Sequence, residues 1–174
     1  MGKYCILLLL LAFTGHSKLN NNQDLDDLLK RNKNGYLSRP YTESDLLIIT
    51  KYIYKNYEFE YNINLINDVL NNRSGNISDS LVCKLLQLRA SNYSLSGDYN
   101  SMKNDYLSIL SFDNKVNIHD FDLTIGLAES FCYLKDYKTA KMWLDRGLEA
   151  YEMRKDSLSI AYIYLIYGDI YFNE

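Results

Sequence analysis

Leu127, Ala128, Phe131 and Leu134 recur at three- and four-residue steps, and beyond a short charged break Ala140, Leu144, Gly147, Leu148 and Tyr151 resume the rhythm. That spacing gathers apolar side chains on one face of a helix, whereas a strand would alternate every second residue. Residues 121–151 therefore read as two helices joined by the tight turn Lys135-Asp136-Tyr137. An earlier stretch reads alike: Leu86, Ala90 and Tyr93, then the turn Gly97-Asp98-Tyr99, then Met102, Tyr106 and Ile109. A third begins with Leu46, Ile49 and Ile53 and continues with Phe59, Ile66, Val69 and Leu70. The polar stretches "NNRSGNISDS" and "SFDNKVNIHD" separate these pairs and read as loops. The pattern predicts an all-α fold.

The pairs are spaced regularly. The two Asp-Tyr turns lie 38 residues apart, and so do Ala90 and Ala128. Gly168 lies 40 residues after Ala128, and Thr50 lies 40 before Ala90. Units start near Glu43, Cys83, Phe121 and Ala161, giving 43–82, 83–120, 121–160 and a partial unit 161–174. On these residues the pattern resembles the tetratricopeptide repeat (TPR). The family's small residue in the first helix matches Ala90, Ala128 and Gly168, and its later aromatic matches Tyr93, Phe131 and Tyr171. The small residue opening the second helix matches Ala140, and the later small one matches Gly147. Met102 and Asn62 depart from the pattern, and no proline stands between units.

The resemblance implies an αα-hairpin solenoid coiled as a right-handed superhelix, with a concave groove lined by the first helix of each unit. The groove positions it implies are Leu47, Lys51 and Tyr54; Gln87, Ser91 and Ser94; Ile125, Glu129 and Tyr133; Leu165 and Asp169. Lys51, Tyr54, Gln87, Ser91, Glu129, Tyr133 and Asp169 are the candidate partner contacts. One lysine beside two acids does not match the basic clamp with which some members hold acidic C-termini.

The ends differ from the middle. Residues 1–17 open with Lys3, continue with a nine-residue apolar run from Cys5 to Phe13, and close on Gly15-His16-Ser17. That is the layout of a secretory signal peptide, and the run is too short to span a bilayer. Residues 18–42 carry Leu25, Leu28 and Leu29 at helical spacing, then a loop through Pro40; Thr42 or Ser44 can cap the helix that follows. The last stretch, "LSIAYIYLIYGDIYFNE", is apolar on nearly every side. A solenoid ends in a helix with a polar outer face. Something is therefore expected to cover Ile163, Ile166, Ile170 and Phe172: a continuation of a longer repeat protein, a second copy, or, least favoured, membrane.

Composition narrows the function. A net charge of −3 gives no basic face for nucleic acid. His16 lies in the signal segment, and His119 beside Asp120 reads as part of a helix start rather than as a general base. No CxxC, HExxH or glycine-rich phosphate loop occurs, so neither catalysis, metal nor cofactor is expected. Cys83 and Cys132 read as two buried or half-buried thiols. The N-x-S triplets at Asn72, Asn76 and Asn92 arise readily in an asparagine-rich chain. The reading is a non-enzymatic protein–protein interaction scaffold, exported to a periplasmic or other extracytoplasmic space, with self-association through the C-terminal helix as a further expectation. The alternative is the sensory input region of a bacterial histidine kinase or helix-turn-helix regulator, which long-unit TPRs behind a signal peptide resemble.

Overall fold

Thr42 starts the first long helix for a local reason. Its hydroxyl accepts from the Asp45 N–H at 3.4 Å, while Asp45 Oδ2 accepts from the Thr42 N–H at 2.8 Å and from its hydroxyl at 2.7 Å. This reciprocal box satisfies donors that a helix start leaves without intrahelical partners. The computed structural model describes residues 26–28, 40–53, 58–72, 77–112 and 121–174. After a helical turn at 26–28, the helices are α1 (Glu43–Ile53), α2 (Phe59–Asn72), α3 (Asp79–Ser96), α4 (Tyr99–Leu110), α5 (Phe121–Tyr133), α6 (Tyr137–Arg154) and α7 (Ser157–Asn173). No strand occurs among the described residues, so the fold is all-α. The signal-like segment 1–17, most of 18–42 and His119 lie outside the described residues.

One turn is used three times. Gly97, Lys135 and Lys155 end α3, α5 and α6 in the left-handed region, at φ of 84°, 62° and 56°. The following residue is an aspartate in each case, and its N–H donates to the carbonyl of an aromatic residue: Asp98 to Tyr93, Asp136 to Phe131, Asp156 to Tyr151. Its carboxylate then caps the next helix, accepting from Ser101, Thr139 and Ser159 N–H at 3.1, 3.2 and 3.2 Å. A helix end and a helix start are thus satisfied within two residues. The third copy joins α6 to α7, so α7 starts after Asp156. Cys83 and Ala161, the expected unit starts, fall about one turn inside α3 and α7.

Neighbouring helices pack in order from α2 to α7, and a second set of contacts joins alternate helices: α1 with α3, α3 with α5, α5 with α7. Two apolar clusters result. One joins α1, α2 and α3 through Leu46, Ile49, Ile66, Val69 and Leu85, and also holds Leu28 and Tyr41. The other runs from α3 to α7 through Leu86, Met102, Leu127, Leu144 and Ile163. α3 feeds both, Leu81, Leu85 and Leu88 into the first and Val82, Leu86 and Ala90 into the second. It is therefore apolar on two sides because it has neighbours on two sides.

Small residues act where the sequence places them, with exceptions. Ala90, Ala128 and Ala140 are fully buried. Gly147 is buried too, and a Cβ there would lie 2.9 Å from Thr124 Cγ2 and 3.2 Å from Ile163 Cδ1. Gly168 behaves differently: it is exposed, with nothing within 4 Å of a would-be Cβ. Tyr171 is exposed as well. Asn62, which stands where a small residue is expected, is fully buried and donates to Asn92 Oδ1 at 3.1 Å; Asn92 donates to the Leu88 carbonyl at 2.7 Å. Ile163, Ile166 and Ile170 are covered by the chain itself, so of the four residues expected to need cover only Phe172, 89% exposed, remains open.

Candidate partner-binding face

The alternate-helix contacts place α1, α3, α5 and α7 side by side, and the described groove positions lie on these four helices. Lys51 is exposed on α1, and Tyr54 falls outside the described residues. Gln87 and Ser91 are half-buried on α3, where the Ser91 hydroxyl donates to the Gln87 carbonyl at 3.0 Å. Leu47 and Leu165 are exposed. Ser94 and Ile125 are buried, so they support the face from beneath and do not line it.

Glu129, Tyr133 and Asp169 come together at the α5–α7 end. Glu129 and Tyr133 lie one turn apart and so share a face. The Tyr162 hydroxyl donates to Glu129 Oε1 at 2.7 Å. Tyr99, the first residue of α4, stacks on Tyr133 with centroids 4.1 Å apart and planes 12° apart. Burial raises the Glu129 carboxyl above its usual range; the Tyr162 hydrogen bond opposes this and the Asp169 charge adds to it. The Tyr133 phenol is pushed up to about 12 by burial first, then by Glu129 and Tyr99. Both effects follow from recessing acids beside one another. Lys51 lies at the other end, beyond α3, and does not join this cluster.

Tyr99 and Tyr162 belong to the site and were not among the expected contacts. Tyr162 precedes Asp169 by seven residues, two turns on the same helix face, and that spacing could have flagged it. The Tyr99–Tyr133 stack crosses from α4 to α5, and only packing reveals it.

The cluster offers acceptors and aromatic surface. Burial, then Asp169 and Glu129, raise the Cys132 thiol, which keeps it protonated near neutral pH and unsuited to nucleophilic attack. Neither Cys83 nor Cys132 is in a disulfide. Among the described residues no group of histidine, cysteine and carboxylate side chains could hold a metal ion, and no helix is long and apolar enough to cross a membrane. Comparison with protein-family models, curated proteins and solved structures gave no match.

Proposed function

We propose that the chain is a TPR-like repeat of helical hairpins, wound as a right-handed superhelix, that binds a protein segment along the face formed by α1, α3, α5 and α7. The observation that carries this reading is the packing of alternate helices, which sets their first-helix positions in one row. Three copies of the same Asp-capped turn add support. The α5–α7 end favours a segment bearing basic or hydroxyl groups, because Asp169 supplies an exposed carboxylate, Glu129 a recessed carboxyl acceptor and the exposed edge of Tyr133 apolar area. The reading carries no catalytic role and places the protein outside the cytoplasm; that placement rests on the signal-like residues 1–17.

The test is a peptide-display selection against the whole chain, followed by affinity measurement on Tyr133→Ala and Glu129→Gln. The expectation is a loss of tenfold or more in both variants, with unchanged circular dichroism. Selected peptides that bind both variants as tightly as the parent would refute the assignment of this face.

A further inference from the structure

α7 is apolar on nearly every side, yet only one side is covered. Ile163, Ile166 and Ile170 face the core. At 100° per residue Leu158, Ala161, Leu165, Gly168 and Phe172 fall on the opposite face, and all five are exposed. Leu158 is 83% exposed, Leu165 49% and Phe172 89%. Tyr164 and Tyr171 flank them and are exposed too. The other large exposed apolar residues are scattered over α1, α2, α4, α5 and α6, whereas five share α7. α3 shows how the fold uses a helix of this kind: it is packed on both of its apolar sides.

The exposed row has a definite form. Steps of three and four residues are the a and d positions of a heptad, with large residues at every a and small ones at both d positions. The core-facing Ile163 and Ile170 take the opposite f position. Antiparallel pairing of two such helices sets a against d. Leu165 then meets Gly168 of the second copy, and Phe172 meets its Ala161, each contact occurring twice by symmetry. Nothing lies within 4 Å of a Cβ at Gly168, so the approach is open. The five large side chains expose about 500–850 Å² per copy, taking about 150–250 Å² for a whole side chain. A standard stable interface takes about 800 Å² from each partner. Asp169, the only charged residue in α7, lies beside the row and not in it, so no like charges need be desolvated within the seam.

We infer that this face forms a homodimer, through antiparallel pairing of α7 with α7 of a second copy. The inference does not depend on the peptide-binding reading.

Sedimentation equilibrium of the whole chain from about 1 to 100 µM tests it. The expected species is twice the 20.4 kDa monomer. Leu165→Glu and Phe172→Glu, each at an exposed position, should weaken the dimer at least tenfold while the helical circular dichroism at 25 °C holds. Gly168→Glu should do the same from a position that touches nothing in the monomer. Met153→Glu, exposed on α6, should remain dimeric. A parent protein that stays monomeric at 100 µM overturns the inference and leaves the face to a different partner. A dimer indifferent to all three α7 substitutions overturns it equally.

Discussion

The ring of Tyr106 in α4 occupies the space that a side chain on Gly126 in α5 would need. Both residues are buried, and Tyr106 belongs to the larger apolar cluster. The glycine lets α5 come close enough to α4 for the tyrosine ring to pack over its backbone. Alanine would gain about 1 kcal/mol of helix propensity but would overlap the ring. Gly126→Ala should therefore destabilise the protein by about 1–3 kcal/mol net. Urea denaturation checks it, and Tyr106→Leu added to Gly126→Ala should cost less than the two changes summed.

Ala140 is fully buried at the start of α6, in the same cluster as Ala128. The three heavy atoms that leucine adds have nowhere to go there. Ala140→Leu should cost about 1–3 kcal/mol. An unchanged melting temperature would mean that α6 can shift away from α5 at little cost.

Lys135 and Lys155 adopt a left-handed backbone that Gly97 adopts at the matching place. A Cβ makes that conformation unfavourable by about 1–2 kcal/mol, and glycine avoids this at some cost in unfolded-state entropy. Lys135→Gly and Lys155→Gly should each stabilise the protein by about 0.5–1 kcal/mol. Thermal melts of the two variants would show it, and a lowered midpoint would mean the lysine side chains contribute more than their backbone strain removes.

Arg89 on α3 grips Asp105 on α4 with two bonds, Nε to Oδ2 at 2.8 Å and Nη2 to Oδ1 at 2.5 Å, and reaches Asn67 on α2 at 2.5 Å. Asp105 is buried, and its burial pushes the carboxyl upward while Arg89 pulls it down. Removing one partner leaves the other charge without compensation. Asp105→Asn should cost about 2–4 kcal/mol. Arg89→Met/Asp105→Leu should cost less than Asp105→Asn alone, which a double-mutant cycle would measure.

Hydrogen bonds from Ser101 and from Ser159, side chain first and then backbone, hold the Asp98 and Asp156 carboxyls below their usual range. A lowered value in the folded state means the unfolded chain binds more protons. Their contribution is present above the unfolded value of about 3.9 and fades as the pH falls through the lowered folded values. The melting temperature should drop across that window. Asp98→Asn keeps a capping acceptor but does not titrate, so it should flatten part of the slope. A slope identical in the variant would assign the acid sensitivity elsewhere.

The helices and their turns were legible because the information is local. Apolar residues at helical steps fixed the faces of α3 to α6. The order aromatic, left-handed residue, aspartate and serine or threonine encodes each turn within nine residues, as in Tyr93, Gly97, Asp98 and Ser101. Its third copy at Tyr151, Lys155, Asp156 and Ser159 is equally local, but Ser157 stands where the other two copies carry tyrosine after the aspartate.

Four features depended on packing. A run of isoleucines says that α7 is apolar, but only the neighbours show that Ile163, Ile166 and Ile170 are covered while Leu158, Leu165 and Phe172 are not. Gly126 and Gly168 are the same residue in sequence; one is pressed by a ring and the other faces open space. Tyr99 reaches Tyr133 because α4 packs on α5. Ser94 and Ile125 share the helical register of half-buried or exposed neighbours such as Ser91 and Tyr133, yet α3 and α5 turn them inward. Spacing along a helix sets which residues share a face, and the sequence determined that. What each face meets depends on chain segments tens of residues away, so only the tertiary structure decided it.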